Sequence, residues 1–567
     1  MKEKRLFLKF ANPVKFLLRD DFNDTRAAGA VNGTTASPGG MGSAAQKTRT
    51  IVDTENKLSL GSGVANLAAP KIAPSWGDPG LWYGSIPRAA GRMIIMSFNQ
   101  DSAGGVGYFS LGFNNLAAGN PSYGSFGMDN SNWIYAYMAG GGPNIAVYSL
   151  DTTYNIAVVL RAAGAFWFIK GGVFTFWTLL WIDNTTATNP LYPALVSYSA
   201  RVNSSFVRIP DSLWLPTPLC YDTFTRADAA IGTSEVVGPD GQSTTARIWT
   251  GATWTISTNK VINTPVPGAE TLTNGNMETA DPPSSWVAGG STLDGVADER
   301  TGGAGAQSLS ITSGGGGYGR ATQAIVNSAG IWMRISGWSK PSLGGSRISI
   351  QKADGSVDYI TLANAAAAAW LNQVGTCYVP TADGRASLYN NGEPNGESRY
   401  DDISIKPLTT SELFSSVSDA TTPDVIVGVD IVSSIVYGVA AYQAGIVVNL
   451  DSTNNPQNYI IAYLDKSTIA GATRILLDEV VAGVLANKIT VTNATYVSGA
   501  RLVVVRNGTQ CRVFYNNLAV GTVQTMTANT NTKHGLFSTD VGNTFNNFLV
   551  MPRGTRGEYN SALNRFI

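Results

Sequence analysis

Catalysis and metal binding need particular side chains at particular spacings, and the residues that usually supply them are sparse in this chain. It has one histidine, His534. A Ser-His-Asp triad would have to be built on that residue, and a histidine-cluster metal site is excluded. Cys220, Cys377 and Cys511 lie far apart, without a C-x-x-C pair or zinc-ligand spacing. Three unclustered cysteines read as buried thiols rather than as a disulfide framework. No serine sits in a Gly-x-Ser-x-Gly elbow. Asp478-Glu479 is the nearest acidic pair, but adjacent strand residues point to opposite faces, and the pair reads as a surface turn or strand end. Gly314-Gly-Gly-Gly-Tyr-Gly319 lacks the Lys-Ser/Thr ending of a phosphate-binding loop and reads as a flexible hairpin. The expectation is a chain that binds and does not turn over.

The elements that must position any site are strands. Lys+Arg and Asp+Glu are 39 each, and charged residues make up 14% of the 567, against roughly a quarter in an ordinary soluble protein. With 62 Gly, 13 Trp, 22 Tyr and 20 Phe, the composition suits all-β domains with many turns. The length suggests about three or four of them. A neutral chain lacks the basic footprint of a nucleic-acid binder. The basic start Met1-Lys-Glu-Lys-Arg5 resembles a signal peptide, but Lys9 interrupts the apolar run, so no export signal is read. The apolar stretch from Ala165 to Ile182 is about the length of a membrane span. It holds Lys170, Gly171 and Gly172, and is expected to be two strands around a glycine turn. Thr253-Trp-Thr-Ile-Ser257 alternates as a half-buried strand does. Arg501-Leu-Val-Val-Val-Arg506 is more continuously apolar, as in a strand covered on both faces. Ala365 to Ala369 is expected to form one helical turn.

An internal repeat organises the chain. Leu18-Arg-Asp-Asp-Phe22 opens one unit and Cys220-Tyr-Asp-Thr-Phe224 another, with Asp20 and Phe22 matching Asp222 and Phe224. Each leads to an Asn-Lys strand start, at Asn56-Lys57 and Asn259-Lys260. Ala157-Val-Val-Leu-Arg161 matches Leu502-Val-Val-Val-Arg506, and aromatic strands follow at Phe166–Ile169 and Arg512–Tyr515. The closing strands are Phe206-Val-Arg-Ile-Pro210 and Phe548-Leu-Val-Met-Pro552. Phe22 to Arg161 is 139 residues and Phe224 to Arg506 is 282, an excess of 143. That excess is a whole domain inserted near the start of the second unit. It begins after the linker Thr264-Pro-Val-Pro-Gly268.

The inserted segment carries Asn274-Gly-Asn-Met-Glu278, Ser284-Ser-Trp286, Gln307-Ser-Leu-Ser-Ile311, Met333-Arg-Ile-Ser-Gly-Trp-Ser-Lys340 and Tyr400-Asp-Asp-Ile-Ser-Ile405. In this order they resemble the galactose-binding-like jelly roll of xylan- and glucan-binding carbohydrate modules. Met277 and Met333 depart from the Phe and Tyr of that pattern. The repeated units resemble concanavalin A-like (laminin-G-like) jelly rolls, and their openings resemble domains of tailed-phage virion proteins. The expected fold is all-β: an N-terminal arm (1–17), a first concanavalin-like sandwich (18–215), a second one in two pieces (216–266 and 409–552), the inserted module (267–408) and a C-terminal tail (553–567). Each terminal segment is either a disordered tail or a strand-adding arm.

These resemblances imply sites and a function. Modules of this kind often hold a structural calcium between opening and closing strands, here at Glu278 with Asp401 or Asp402. The plainer alternative has Glu278 capping a turn and Asp402 in solvent. Sugar binding would use aromatic rings against the apolar face of a pyranose, for which Trp286, Trp338, Trp370, Tyr378 and Tyr389 compete with core packing. Along its strand Trp338 and Ile335 take opposite faces, and the sequence leaves open which is core. Trp76, Trp82 and Tyr83 read as a packed turn. The E-x-D-x-x-E strand typical of concanavalin-like glycosidases does not occur. The resemblance implies a non-enzymatic structural and adhesive protein on the exterior surface of a tailed-phage virion, as tail, fibre or head appendage. Its expected partners are other virion subunits, a homo-oligomer or assembly, and host glycan, without nucleic acid or membrane insertion. The alternatives are a polysaccharide-active enzyme with an accessory module, and a bacterial surface adhesin.

Overall fold

A computed structural model describes residues 15–553 except 69–73, 105–106, 118–122, 139–141, 186–190, 299, 301–304, 317, 328, 343, 366–367, 392–393, 434–438 and 468–472. The two terminal arms lie almost wholly outside the described residues, as do the central alanines of the 365–369 run. What is described is all-β, with one short α-helix at Ala44–Lys47. No helix among the described residues is long and apolar enough to cross a membrane. The apolar run at 165–182 forms the strands Ala165–Gly171 and Phe174–Asp183, turning where Gly171 and Gly172 take positive φ. The chain divides into two compact units: Met1–Thr217 with Val237–Ser243 and Pro552–Ile567, and Pro218–Val236 with Thr244–Met551. The tip Val237–Ser243, assigned from sequence to the second sandwich, thus belongs to the first unit, where Arg161 Nε lies 2.8 Å from Asp240 Oδ2.

The first unit is a sandwich of two sheets. In spatial order one runs Phe174–Asp183, Ala165–Gly171, Tyr154–Leu160, Met93–Gln100, Val202–Ser204, Val64–Leu67 and Leu58–Gly61. The other runs Asn144–Val147, Trp133–Tyr137, Ser125–Met128, Phe109–Asn114, Tyr192–Ser197, Gly80–Trp82 and Thr50–Val52. The second unit repeats this order strand for strand. Its first sheet runs Leu518–Thr525, Gln510–Tyr515, Ala500–Asn507, Val425–Ser433, Asn543–Pro552, Lys260–Asn263 and Trp254–Ser257. Its second runs Val484–Ala494, Thr473–Val481, Tyr459–Ser467, Val439–Leu450, Lys533–Ser538, Phe414–Val417 and Trp249–Thr250. The inserted module therefore leaves after the strand equivalent to Val64–Leu67 and returns before the one equivalent to Gly80–Trp82.

The D-x-F opening has one conformation in both units. Asp20 Oδ1 accepts the Phe22 N–H at 3.1 Å, and Asp222 Oδ1 accepts that of Phe224 at 2.8 Å. Both phenylalanines are left-handed, with φ of 50° and 58°, and fully buried. The other carboxylate partners differ. Arg49, itself fully buried, grips Asp20 through Nε and Nη2 at 2.7 Å each, with the Tyr83 hydroxyl donating at 2.7 Å, whereas in the second unit Arg226 bonds Asp222 at 2.6 and 3.1 Å and Trp249 donates at 2.8 Å.

Two expected residue matches are off by one. Beyond the Leu160–Ala165 pair the Arg161 N–H bonds Gly164 O at 2.9 Å across a two-residue turn, and Asn507 pairs with Gln510 across the equivalent turn. Arg161 is thus equivalent to Asn507, and Arg506 to Leu160. Likewise Asp20 pairs with Val207 and Asp222 with Phe548, so Val207, not Phe206, matches Phe548. A one-residue slip reverses the face of every side chain: Arg161 points out of its sandwich and Arg506 points in.

The inserted module is a jelly roll of two five-stranded layers. Ser291–Val296, Ser308–Ser313, Glu397–Leu408, Ile331–Pro341 and Leu371–Val379 form one, and Val287–Gly289, Tyr318–Ala324, Gly384–Asn391, Ser346–Lys352 and Asp358–Asn364 the other. Met277, Met333, Ile335, Ile348, Leu388 and Tyr400 pack between them. Its first layer continues into the second sandwich by parallel pairing, Gln373 with Val439 through Gly375 with Ala441. On the outer face Trp332 and Leu408 join Phe414, Val447, Tyr463 and Phe537 in one apolar cluster. The outgoing and returning chains are also bonded together, Gly268 N–H to Pro407 O at 2.8 Å and Val266 N–H to Glu412 Oε2 at 2.8 Å.

Candidate functional site

Strand Ile331–Pro341 decides the site by its alternation. Met333 and Ile335 face the module core, which sends Arg334, Ser336 and Trp338 to the outer face. Opposite, Glu397–Leu408 carries one residue too many: its register shifts between Ser336 and Trp338, and Asp402 takes φ 48°. This is a β-bulge, a device that redirects side chains at the cost of a ladder bond. Gly337 makes room for it, since a Cβ there would stand 2.3 Å from Ile403 Cδ1 and 3.1 Å from Ile348 Cδ1.

The bulge gathers charge around Trp338. Asp402 Oδ2 accepts from Arg300 Nε at 2.7 Å, and the Arg300 guanidinium lies 4.8 Å from the centroid of the half-buried Trp338 ring. Asp401, paired across from Trp338, is buried, and burial with the neighbouring Asp402 pushes its carboxyl up to about 6. Arg334 Nη1 stands 3.3 Å from Asp540 Oδ2, whose carboxyl is raised by burial. Arg300, Arg334, Trp338, Asn372, Asp402, Tyr442 and Asp540 line a cleft of about 680 Å³, and Asp401 lies beneath it. An aromatic ring ringed by amide, hydroxyl, guanidinium and carboxylate groups can stack on a sugar ring and hold its hydroxyls.

The other aromatic candidates are scattered. Tyr378 borders a separate cavity of about 510 Å³ with Tyr459, Asn454, Asn455 and Gln457, whose lining includes no charged side chain. Trp286 belongs to the module core and donates to Asn274 O at 3.3 Å. Trp370 is half-buried beneath Lys340, 6.0 Å from the ring centroid. The Tyr389 hydroxyl is tied to Gln351 at 2.8 and 3.1 Å. In the first unit Trp82 and Tyr83 are packed, but Trp76, read as part of that turn, is 40% exposed.

Glu278 and Asp402, the acidic residues considered for calcium, have protein partners. Glu278 accepts the N–H groups of Ala306 and Gln307 at 3.0 Å each, and Asp402 faces an arginine. Among the described residues no group of three or more His, Cys, Asp or Glu could hold a metal. Asp478-Glu479 is not a surface turn: both residues are buried in strand Thr473–Val481. Asp478 accepts from Tyr463 and Asn487 at 2.7 Å each, and Glu479 accepts from Thr527 N–H at 2.6 Å. They are buried because the strand lies in the middle of a sheet, which a lone dipeptide does not announce. His534 is buried and satisfied on both nitrogens, taking the Asn449 N–H at 3.3 Å and lying 3.1 Å from Thr422 O, and burial lowers its pKa to about 4. The three cysteines are free and buried.

Arg300, Arg334, Asn372, Tyr442 and Asp540 were not legible as site residues. Arg334, Asn372 and Tyr442 lie on three strands and Arg300 and Asp540 in connections, and the parallel seam brings Tyr442 and Asp540 of the second sandwich to Trp338 of the module.

No family model matches the sequence, and no curated protein matches it. Among solved structures, similarity is found to the carbohydrate binding module CBM66 from Bacillus subtilis, at 12% identity and TM-score 0.20, covering 24% of this chain and 81% of that one. The tandem CBM22-1-CBM22-2 domain from Paenibacillus barcinonensis Xyn10C matches at 10% identity and TM-score 0.22, covering 51% of this chain and 99% of that one. The GH43 protein BlXynB from Bacillus licheniformis matches at 12% identity and TM-score 0.19, covering 85% and 99%. At such scores the likenesses carry no argument about this chain, and the functional reading rests on its own geometry.

Proposed function

We propose that this chain is a non-catalytic glycan-binding surface protein whose inserted module takes a sugar at the Trp338 cleft. The observation that carries the reading is the placement of a half-buried Trp338 beside Arg300, Asp402 and Asn372 in one open cleft. The ring supplies the apolar platform, Asn372 donates and accepts, and the Arg300–Asp402 pair offers a donor fork and a second acceptor to vicinal hydroxyls. Asp402 is already committed to a guanidinium and Asp401 is covered, which favours binding over turnover. The resemblance of the D-x-F openings to virion domains supports a setting on the exterior of a tailed-phage particle, in which the chain would assemble with copies of itself and other subunits and attach to host glycan.

The test is binding of the full chain to a polysaccharide panel, with reducing-end release measured in parallel. Trp338→Ala is expected to weaken binding at least tenfold, the scale of one lost aromatic contact, with the melting temperature unchanged. Release of reducing ends that is abolished in Asp401→Asn or Asp402→Asn would establish the enzymatic alternative instead. Unchanged binding by Trp338→Ala would remove this cleft from the account. Absence of the chain from purified particles would remove the virion setting.

A further inference from the structure

The first sandwich holds a cleft of a different character. Its strands Val64–Leu67, Val202–Ser204 and Met93–Gln100 are in register so that Asn203 pairs with Asn66 on one side and with Asn99 on the other. Residues paired across a sheet share a face. Their inward neighbours Ala65, Leu67, Val202 and Phe98 are fully buried, so three carboxamides stand in a row on the outer face. The row lies in a cleft of about 560 Å³ bordered by Asp101, Asp151, Thr153 and Ser205. Asn99 Nδ2 lies 3.3 Å from Thr153 Oγ1. The side chains of Asn66 and Asn203 have no hydrogen-bond partner among the described residues. Each carboxamide carries two donor hydrogens and an acceptor oxygen, so the middle of this face offers a dense set of unused hydrogen-bonding groups.

The second sandwich serves as an internal comparison. It has the same strand order, and at the places of Asn66 and Asn203 it carries Ile262 paired with Thr544. Those are the residue types that strands favour, whereas asparagine is depleted from strands. The fold does not call for the amide row, and the row makes the sheet locally less favourable. From this juxtaposition we infer that the cleft of the first sandwich is a second glycan site, selective for a neutral polyhydroxylated chain. The amide row bonds successive hydroxyls and the two rim carboxylates accept others. Asp101 is balanced by Arg201 at 3.1 Å. Asp151 faces no cation among the described residues, and hydrogen bonding from Ser102 holds its carboxyl below the usual range. The rim therefore repels phosphate and uronate groups. This site rests on its own residues and not on Trp338.

The experiment titrates the full chain with xylan, mannan, galactan, β-glucan and polygalacturonate. Three variants are compared with the native chain: Asn66→Ile/Asn203→Thr, which copies the second sandwich; the smaller change Asn203→Ser; and Trp338→Ala. The double variant is expected to lose binding to at least one neutral polysaccharide by tenfold or more, with Asn203→Ser weakening the same interaction and both melting as the native chain does. Trp338→Ala should keep that interaction, and polygalacturonate should not compete for it. Binding lost only in Trp338→Ala overturns this inference and leaves the module site standing. Binding lost only in the asparagine variants does the reverse. Binding of no neutral polysaccharide by the native chain, or preference for polygalacturonate, also overturns it.

Discussion

Arg506 shows how a shared fold tolerates a locally poor choice. It is fully buried. Its Nη2 donates to Thr527 O at 3.1 Å, while Nε and Nη1 meet no hydrogen-bond partner among the described residues. Burial lowers its pKa, the sign of a charge held where it is poorly solvated. The first sandwich places Leu160 at the same point, packed towards the opposite sheet. Arg506→Leu is therefore expected to stabilise the chain by about 1–3 kcal/mol, since an apolar residue of similar reach removes an under-satisfied buried charge. Arg506→Ala, which leaves a cavity, should not. Denaturant unfolding of both variants checks this, and a lower midpoint for the leucine variant would refute it. The same residue marks the limit of sequence reading. Residue types gave away the repeat, because Asp20 and Phe22 perform a local task, capping and left-handed turning, that needs those side chains. They did not give its register, because Val-Val-Leu-Arg and Val-Val-Val-Arg look alike whichever face the arginine takes.

Strands were legible where one face is apolar. Trp254 and Ile256 are buried with Thr255 between them half-exposed, and Leu502 to Val505 are buried on both faces. The seam was not legible, since the pairing of Gln373 to Gly375 with Val439 to Ala441 depends on backbone groups that any sequence supplies. Its side-chain support is a buried polar network. Gln443 Nε2 donates to Thr376 O at 2.9 Å and Asp465 Oδ1 at 3.0 Å, and the Thr376 and Thr539 hydroxyls lie 2.8 Å apart. Gln443→Leu removes the bonds to Thr376 O and Asp465 Oδ1 inside the protein. The expected cost is about 2–4 kcal/mol, more than one hydrogen bond because several buried bonds of one network are lost together. Calorimetry should also show the single transition of module and second sandwich broadening or splitting. A single, unshifted transition would mean that the network contributes nothing to the seam.

At the scale of the molecule, the two sandwiches differ by one replaced connection. Residues 68–79 of the first join strands that residues 264–413 join in the second. A chain in which 264–413 is exchanged for the sequence of 68–79 is expected to fold, because the sandwich core of Val427, Ile446, Leu502 and Phe548 needs no residue from the module. It is also expected to lose about 2–5 kcal/mol and to bind a hydrophobic dye, because Val447, Tyr463 and Phe537 lose the cover of Trp332 and Leu408. Circular dichroism, thermal melting and dye fluorescence read the three outcomes, and an unfolded product would show that the insertion is integral to the sandwich. The double attachment of the module also has a mechanical meaning. Its entering and leaving chains are clasped at one place, with Asn263 Nδ2 donating to Glu412 O at 2.9 Å and Trp254 Nε1 to the same oxygen at 3.1 Å. The parallel seam holds it at a second. A body held at one point swings under tension and peels its bonds one after another. Held at two, it works as a lever rigid with its base, so that a pull at Trp338 is divided between clasp and seam and both must yield before the module turns.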